Sequence, residues 1–341
     1  MTDILRNNWF VVLIAIIIIG FIGYFIYDTN KDNVSAKTTN NEQVIASINK
    51  DDITADDLYD ESTPYDGSTI YNMYKNAVID QSIKTTKDLK KQASTLESNI
   101  KSNASSQSDD YESTLTTELA KYGYASYEEL NDYCLTSVKE KEMNKKYITK
   151  HFDEVKKAWE DKSPRTVSII KMDVSDADNL TETETKKKSN IDKALEKESF
   201  ADVAKAFSED SNTANKNGFA GYVDSNSTSS GSNSTSTVPA DVVTAAIGLK
   251  KGETSDWITV TSSSGTSLYK VYVKETNSKK IFNAKSDTVS NQALYAILNS
   301  DSSLSYKILD SYAKKLDIKF NDKDTKKKFD GYVKTTYGGD Q

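Results

Sequence analysis

Histidine and cysteine, the side chains best suited to proton transfer near neutral pH, thiol chemistry and zinc binding, are scarce in this chain. Its 341 residues include one histidine and one cysteine. His151 lies in a lysine-rich helical stretch without a visible partner, and reads as a solvated surface ring rather than a base. Cys134 stands on a helical pattern with no paired base, so it reads as a packing residue and not a nucleophile. Together they leave no zinc site, and a lone cysteine excludes a disulfide framework. No glycine-rich loop followed by Lys-Ser or Lys-Thr is present, so no nucleotide and no other cofactor is implied.

Charge narrows the partners. With 44 basic and 51 acidic residues the net charge is −7, which argues against nucleic acid. The runs Lys186-Lys187-Lys188 and Lys326-Lys327-Lys328 read as solvated faces. Asn-X-Ser/Thr triplets at Asn103, Asn179, Asn226 and Asn233 carry weight only in a eukaryotic secretory pathway, and arise by chance in so Asn-, Ser- and Thr-rich a chain.

The elements that would position any site begin with a membrane segment. Residues 9–27, from Trp9 to Tyr27, contain no charge and no proline, and span roughly 28 Å as a helix, close to a bilayer core. The length and the polar residues after it favour an anchor over a cleaved signal peptide. Arg6 before the run gives a weak positive-inside signal for a cytoplasmic stretch at 1–8 and a body outside the membrane. Residues 28–43 are polar and aperiodic, and read as a flexible stalk.

The body that follows is long enough for two domains, or for one with a large insertion. Residues 44–49 alternate like a strand, 50–52 turn, and Thr54 caps a helix start at 56–59. From 68 to 159 apolar residues recur at helical spacing, with a loop at 102–110 and a capping box at Ser126 to Glu129. After Ser163-Pro164 the period changes. Strands are expected at 165–174, 218–223, 257–261 and 266–274, and helices at 181–197, 200–207 and 240–249. Residues 225–237 are a low-complexity loop by composition. Helices return after 277 and end with one over 325–337. The fold class is α+β: a helical module formed by segments 44–160 and 277–341, with an inserted domain at 163–276 built on a small antiparallel sheet flanked by helices.

The order of short matches in that insert resembles the parvulin type of peptidyl-prolyl isomerase. Carrying it are Ser199 to Asp210 (SFADVAKAFSED), Gly218-Phe219-Ala220-Gly221-Tyr222, Val238-Pro239, Ala245 to Ser255 (AAIGLKKGETS), and Ser264-Gly265 before the strand that starts at Ser267. At the flanks, Val44 to Thr54 (VIASINKDDIT) and Ala313 to Ile318 (AKKLDI) are similar to segments of extracytoplasmic foldases of the PrsA and SurA type. Lys50 stands where glycine is usual in them.

The resemblance implies a catalytic face with two histidines on adjacent central strands, a Cys or Asp beside the carbonyl, and Met and Phe around the proline. Here Ser168 and Ser267 take the histidine positions, Asp210 the polar one, and Ser264 is a second polar candidate. Val238 and Val242 replace Met and Phe, with Ile247 and Phe219 as further substrate-binding positions. Asp210 has an equal reading as the cap of a turn, and Gly218 and Gly221 read as backbone-geometry residues.

An X-Pro bond isomerises over about 18–20 kcal/mol, and a catalyst needs only to bind the twisted amide more tightly than the planar one. With both histidines replaced, enzyme activity is left open, and expected to be weak or absent. The resemblance thus implies a membrane-anchored extracytoplasmic foldase or chaperone that binds unfolded, newly secreted polypeptides, with oligomeric state open and a dimer one option. The alternatives are an active prolyl isomerase and a non-catalytic cell-surface structural or adhesive protein.

Overall fold

The computed structural model describes residues 38–39, 42–48, 51–54, 66–228, 238–316 and 318–338. The expected anchor at 9–27, the helix start at 56–59 and most of the low-complexity loop lie outside them. Among the described residues no helix is long and apolar enough to cross a membrane. The chain divides into a unit ending at Asp66 and a unit beginning at Gly67.

In the first unit β1 (Thr38–Thr39), β2 (Glu42–Ile48) and β3 (Asp51–Thr54) form an antiparallel sheet in that order. The ladder pairs Thr39 with Glu42 and Ile48 with Asp51. It therefore starts within the segment expected to be stalk and takes in Asp51 and Asp52, which composition assigned to a turn. Polar residues pair by backbone as readily as apolar ones, and composition does not register that.

The second unit opens with five helices: α1 (Gly67–Ser82), α2 (Lys87–Ser105), α3 (Tyr111–Ala120), α4 (Leu130–Lys150) and α5 (Phe152–Glu160). Thr86 caps α2 by accepting from Leu89 N, and α2 runs four residues into the loop expected at 102–110, through Ser105. The Glu129 carboxylate accepts the Ser126 backbone N–H at 3.3 Å, completing the start signal before α4.

Then come β4 (Arg165–Val174), α6 (Glu182–Leu195), α7 (Phe200–Phe207), α8 (Ser211–Ala214), β5 (Phe219–Val223), α9 (Ala240–Gly248), β6 (Ile258–Ser262) and β7 (Gly265–Glu275). Helices α10 (Ser278–Phe282), α11 (Asp287–Ser300), α12 (Leu304–Ala313) and α13 (Lys323–Tyr337) close the chain. The last begins two residues before its apolar pattern because Asp322 accepts from Thr325 N at 2.6 Å.

The four strands form one antiparallel sheet ordered β5-β4-β7-β6. Central β4 is buried along most of its length, which explains its near-continuous apolar run. One sheet face packs Val167, Ile169, Val271 and Val273 against Val242, Val243 and Ala246 of α9. The other packs Ile170, Met172 and Leu268 against Ile191 of α6 and Val203 and Ala204 of α7.

The helices before and after this sheet share a single core. Ile79, Leu130, Ile148 and Trp159 from the first group lie in it with Phe282, Leu294, Ile308 and Phe329 from the second. Tyr71 of α1 stacks on Phe329 of α13, ring centroids 6.1 Å apart. At the junction Tyr222 of β5 enters this core, stacked on Trp159 of α5.

Candidate functional site

Register decides which side chains can meet. β4 and β7 pair Val167 with Val273, Ile169 with Val271, Lys171 with Tyr269 and Asp173 with Ser267. Alternation puts these residues on the α9 face. Ser168, paired with Tyr272, points to the α6 and α7 face, as do Ile170 and Met172.

The two serines assigned to one catalytic face thus stand on opposite faces of the sheet. This corrects the assignment of Ser168: its neighbours Val167 and Ile169 are the β4 residues that share Ser267's face at that end of the strand. A one-residue offset in a strand moves every side chain across the sheet, and short sequence matches do not resolve it.

Ser267 is buried and donates to Asp173 Oδ1 at 2.7 Å, while Lys171 Nζ lies 2.9 Å from the same oxygen. Burial opposes the Asp173 charge, but hydrogen bonds from Lys171 and Ser267 outweigh it and hold the carboxyl below its usual range. The bond to Asp173 raises the Lys171 ammonium above its ordinary value. Tyr269, beside Lys171 on β7, has its phenol raised by burial, with Lys171 pulling the other way.

β5 covers only residues 165–168 of β4. Beyond it the edge of β4 is taken by the segment after α7. Ser208 Oγ accepts from Lys171 N at 3.1 Å, Glu209 N donates to Lys171 O at 2.9 Å, and Glu209 Oε2 accepts from Asp173 N at 2.7 Å. Lys187 of α6 pairs with Glu209.

This docking brings Asp210 close enough for its charge to act on Lys171 and Tyr269. Its carboxylate is engaged as a cap: Oδ1 accepts from Asn212 N at 3.3 Å and Oδ2 from Thr213 Oγ1 at 2.6 Å. Sequence reasoning missed Lys171, Asp173, Glu209 and Tyr269. The signal available for Lys171 and Asp173 was the break of polar residues in an otherwise apolar β4, whereas Glu209 and Tyr269 lie outside β4 and join them only through docking and register.

The remaining expected residues scatter. Ser264 is exposed in the β6–β7 turn, its hydroxyl 2.8 Å from that of Ser262. Val238 and Val242 are buried in the α9 core and offer no surface. Ile247 packs half-buried on that core, and its carbonyl accepts from the Arg165 guanidinium.

Phe219 packs toward the helical module instead, lining a cavity of about 290 Å³ with Ile281, Ala284 and Val289. Lys274 Nζ sits 4.9 Å from its ring centroid. His151, the one imidazole, ends α4, stacks on Tyr147 and binds Glu154. Cys134 is buried in the helical core, and burial raises its thiol to about 11.

A second concave surface lies on the helical module. A groove of about 810 Å³ runs between α2, α4 and α11. Leu89, Leu96 and Val138 supply its apolar part, and Lys141, Glu142 and Asp287 its polar rim. Tyr295 at its edge is 54% exposed, the most exposed large hydrophobic residue among those described.

Residues 169–272 match the PPIC-type PPIASE domain of the rotamase family. The four-stranded sheet and its helices are thus a parvulin-type domain set between two helical segments. Among solved structures, the chain is similar to the foldase PrsA of Bacillus subtilis, at 22% identity over 84% of this chain and 98% of that one, TM-score 0.41. It is also similar to the foldase PrsA of Streptococcus pneumoniae, at 22% identity over 86% and 99%, TM-score 0.37. A SurA-like chaperone of Campylobacter jejuni aligns at 14% identity over 82% of this chain and 100% of its own, TM-score 0.23. A search of curated proteins gave no match.

Proposed function

We propose that this protein is a membrane-anchored extracytoplasmic foldase that holds unfolded, newly secreted polypeptides, with a PPIC-type domain weak or inactive as an isomerase. One observation carries the holding role: helices from both sides of the PPIC-type domain close on a single core and leave an open groove of mixed apolar and charged lining. Such a surface binds an unfolded chain transiently, lowering the concentration free to aggregate while leaving it able to fold after release. The apolar run 9–27 and the family resemblance at 44–54 and 313–318 support the tether and the site of action.

The weak-isomerase part rests on the α9 face. Ile169, Tyr269 and an Asp173–Lys171–Ser267 network stand there, Asp210 is committed to a cap, and the pocket valines are buried. Differential binding of a twisted amide needs accessible groups at the carbonyl and an open proline pocket. Two measurements test the proposal. Stoichiometric protein should suppress aggregation of an unfolded client; no suppression would leave the structural or adhesive alternative. A protease-coupled prolyl-peptide rate more than about tenfold above that of Asp210→Ala, or ~1.4 kcal/mol of barrier, would instead establish an active isomerase.

A further inference from the structure

Helix α13 turns Phe329 and Val333 into the helical core and leaves its opposite face in solvent. From Lys323 to Lys334 it carries five lysines against Asp324 and Asp330, in a chain whose net charge is −7. Lys326 pairs with Asp330 at 2.5 Å. Lys323, Lys327, Lys328 and Lys334 are exposed and form no ion pair among the described residues.

Lys323, Lys327 and Lys334 recur at helical spacing around a shallow depression of about 390 Å³ that includes Gly331. A mid-helix glycine lowers helix stability. At Gly331 a Cβ would meet nothing within 4 Å, so packing does not explain the residue; its absence of side chain keeps the basic face low and open.

The helix that carries this face also has a defined place in its unit. A Cβ on Gly67 would lie 2.5 Å from Lys328 O and 2.8 Å from Tyr332 Cβ. Helix α13 therefore packs against the first residue of α1, at the end of the unit where the chain arrives from its N-terminal segment.

We propose that the lysine face of α13 docks on the anionic lipid headgroups of the membrane that residues 9–27 enter; this rests on the anchoring part of the proposed function. Separate, solvated ammonium groups spread along one helix suit a fluid sheet of single negative charges. A discrete phosphate site would need convergent or buried donors, and these lysines are exposed. Each lysine at an anionic surface changes partitioning roughly fivefold, so removing three weakens it by on the order of a hundredfold.

The test uses the full chain with vesicles of phosphatidylcholine, alone or with about a third phosphatidylglycerol, read by amide hydrogen exchange across 326–334. Exchange there should slow at least about threefold on anionic vesicles only, and the effect should vanish near 1 M salt, where the screening length is ~3 Å. Lys323→Gln/Lys327→Gln/Lys334→Gln should abolish it, while the same triple change to arginine keeps it. Equal exchange on both vesicle types overturns the proposal, as does protection by soluble polyphosphate but not by anionic vesicles. Should the glutamine variant unfold, the arginine variant and the salt series still decide. Loss of the chain from vesicles in an alkaline carbonate wash would remove the anchor alone, because co-sedimentation of the unanchored chain with anionic against neutral vesicles still reads α13.

Discussion

The indole N–H of Trp159 donates a 2.8 Å hydrogen bond to the Tyr222 hydroxyl, joining the last helix before the sheet to its edge strand. The same hydroxyl donates to Asp224 Oδ2 at 2.6 Å, and Asp224 in turn accepts from Asn226 N and Ser227 N. All three partners are buried, and burial drives the Tyr222 phenol well above its ordinary range, with Asp224 adding to the effect. Tyr222→Phe leaves an indole donor and a carboxylate short of a partner inside the protein. A stability loss of about 1–3 kcal/mol is expected, measured by urea unfolding followed through tryptophan fluorescence.

Gly218 combines φ +75° with the tightest approach in the sheet domain: a Cβ there would lie 2.6 Å from Ala204 Cβ and 2.8 Å from Ile169 O. Gly218→Ala should cost about 2–4 kcal/mol, overpacking and left-handed strain together. Gly252→Ala, at φ +87° in open space, should cost only the strain, about 1–2 kcal/mol. Similar losses at both positions would show that packing against Ala204 contributes nothing.

Acid should loosen the start of α6. The Glu184 carboxylate accepts from Ser175 N and Thr181 N, each at 2.7 Å, and these bonds lower its pKa to about 2 from an ordinary 4.5. A carboxyl depressed on folding contributes stability above its unfolded pKa and loses it as pH falls through the folded one. The contribution of Glu184 is therefore present above about pH 4.5 and fades toward about pH 2. Melting temperatures of wild type and Glu184→Gln should differ at neutral pH and converge across that window.

Client holding should depend on the groove. Tyr295 is exposed at its edge, so Tyr295→Ser should change stability by less than about 0.5 kcal/mol while weakening suppression of client aggregation several-fold. Unchanged suppression would move the client surface elsewhere.

Residual prolyl isomerisation, if measured, should be indifferent to two of the serines. Ser168 faces α6 and α7 and Ser264 sits in a hairpin turn. Alanine at either should change a protease-coupled rate by less than about twofold, under 0.5 kcal/mol of barrier. A tenfold loss at Ser168 would mean that the active surface is the other face of the sheet.

Much of the architecture is written locally. The apolar pattern of Val167 to Met172, the Ser126 to Glu129 capping box and the helical recurrence around α4 and α11 each specify an element from neighbours in sequence. Where local pattern fell short, the cause was pairing or capping by polar groups. Asp322 starts α13 early, and Thr38-Thr39 form a strand within a polar segment.

The sequence by itself therefore determined the α+β class, the order of the longer strands and helices of the second unit, the scarcity of histidine and cysteine, and the apolar run at 9–27. Tertiary structure decided what those residues face. It set Ser168 and Ser267 on opposite sides of one sheet, buried Val238 and Val242, turned Phe219 toward the helical module, and carried Glu209 and Asp210 to the free edge of β4. It also set the lysine-rich α13 against Gly67, far away in sequence. Elements follow from short-range periodicity, whereas facing and convergence depend on register and on contacts between distant segments, where a shift of one residue reverses the outcome.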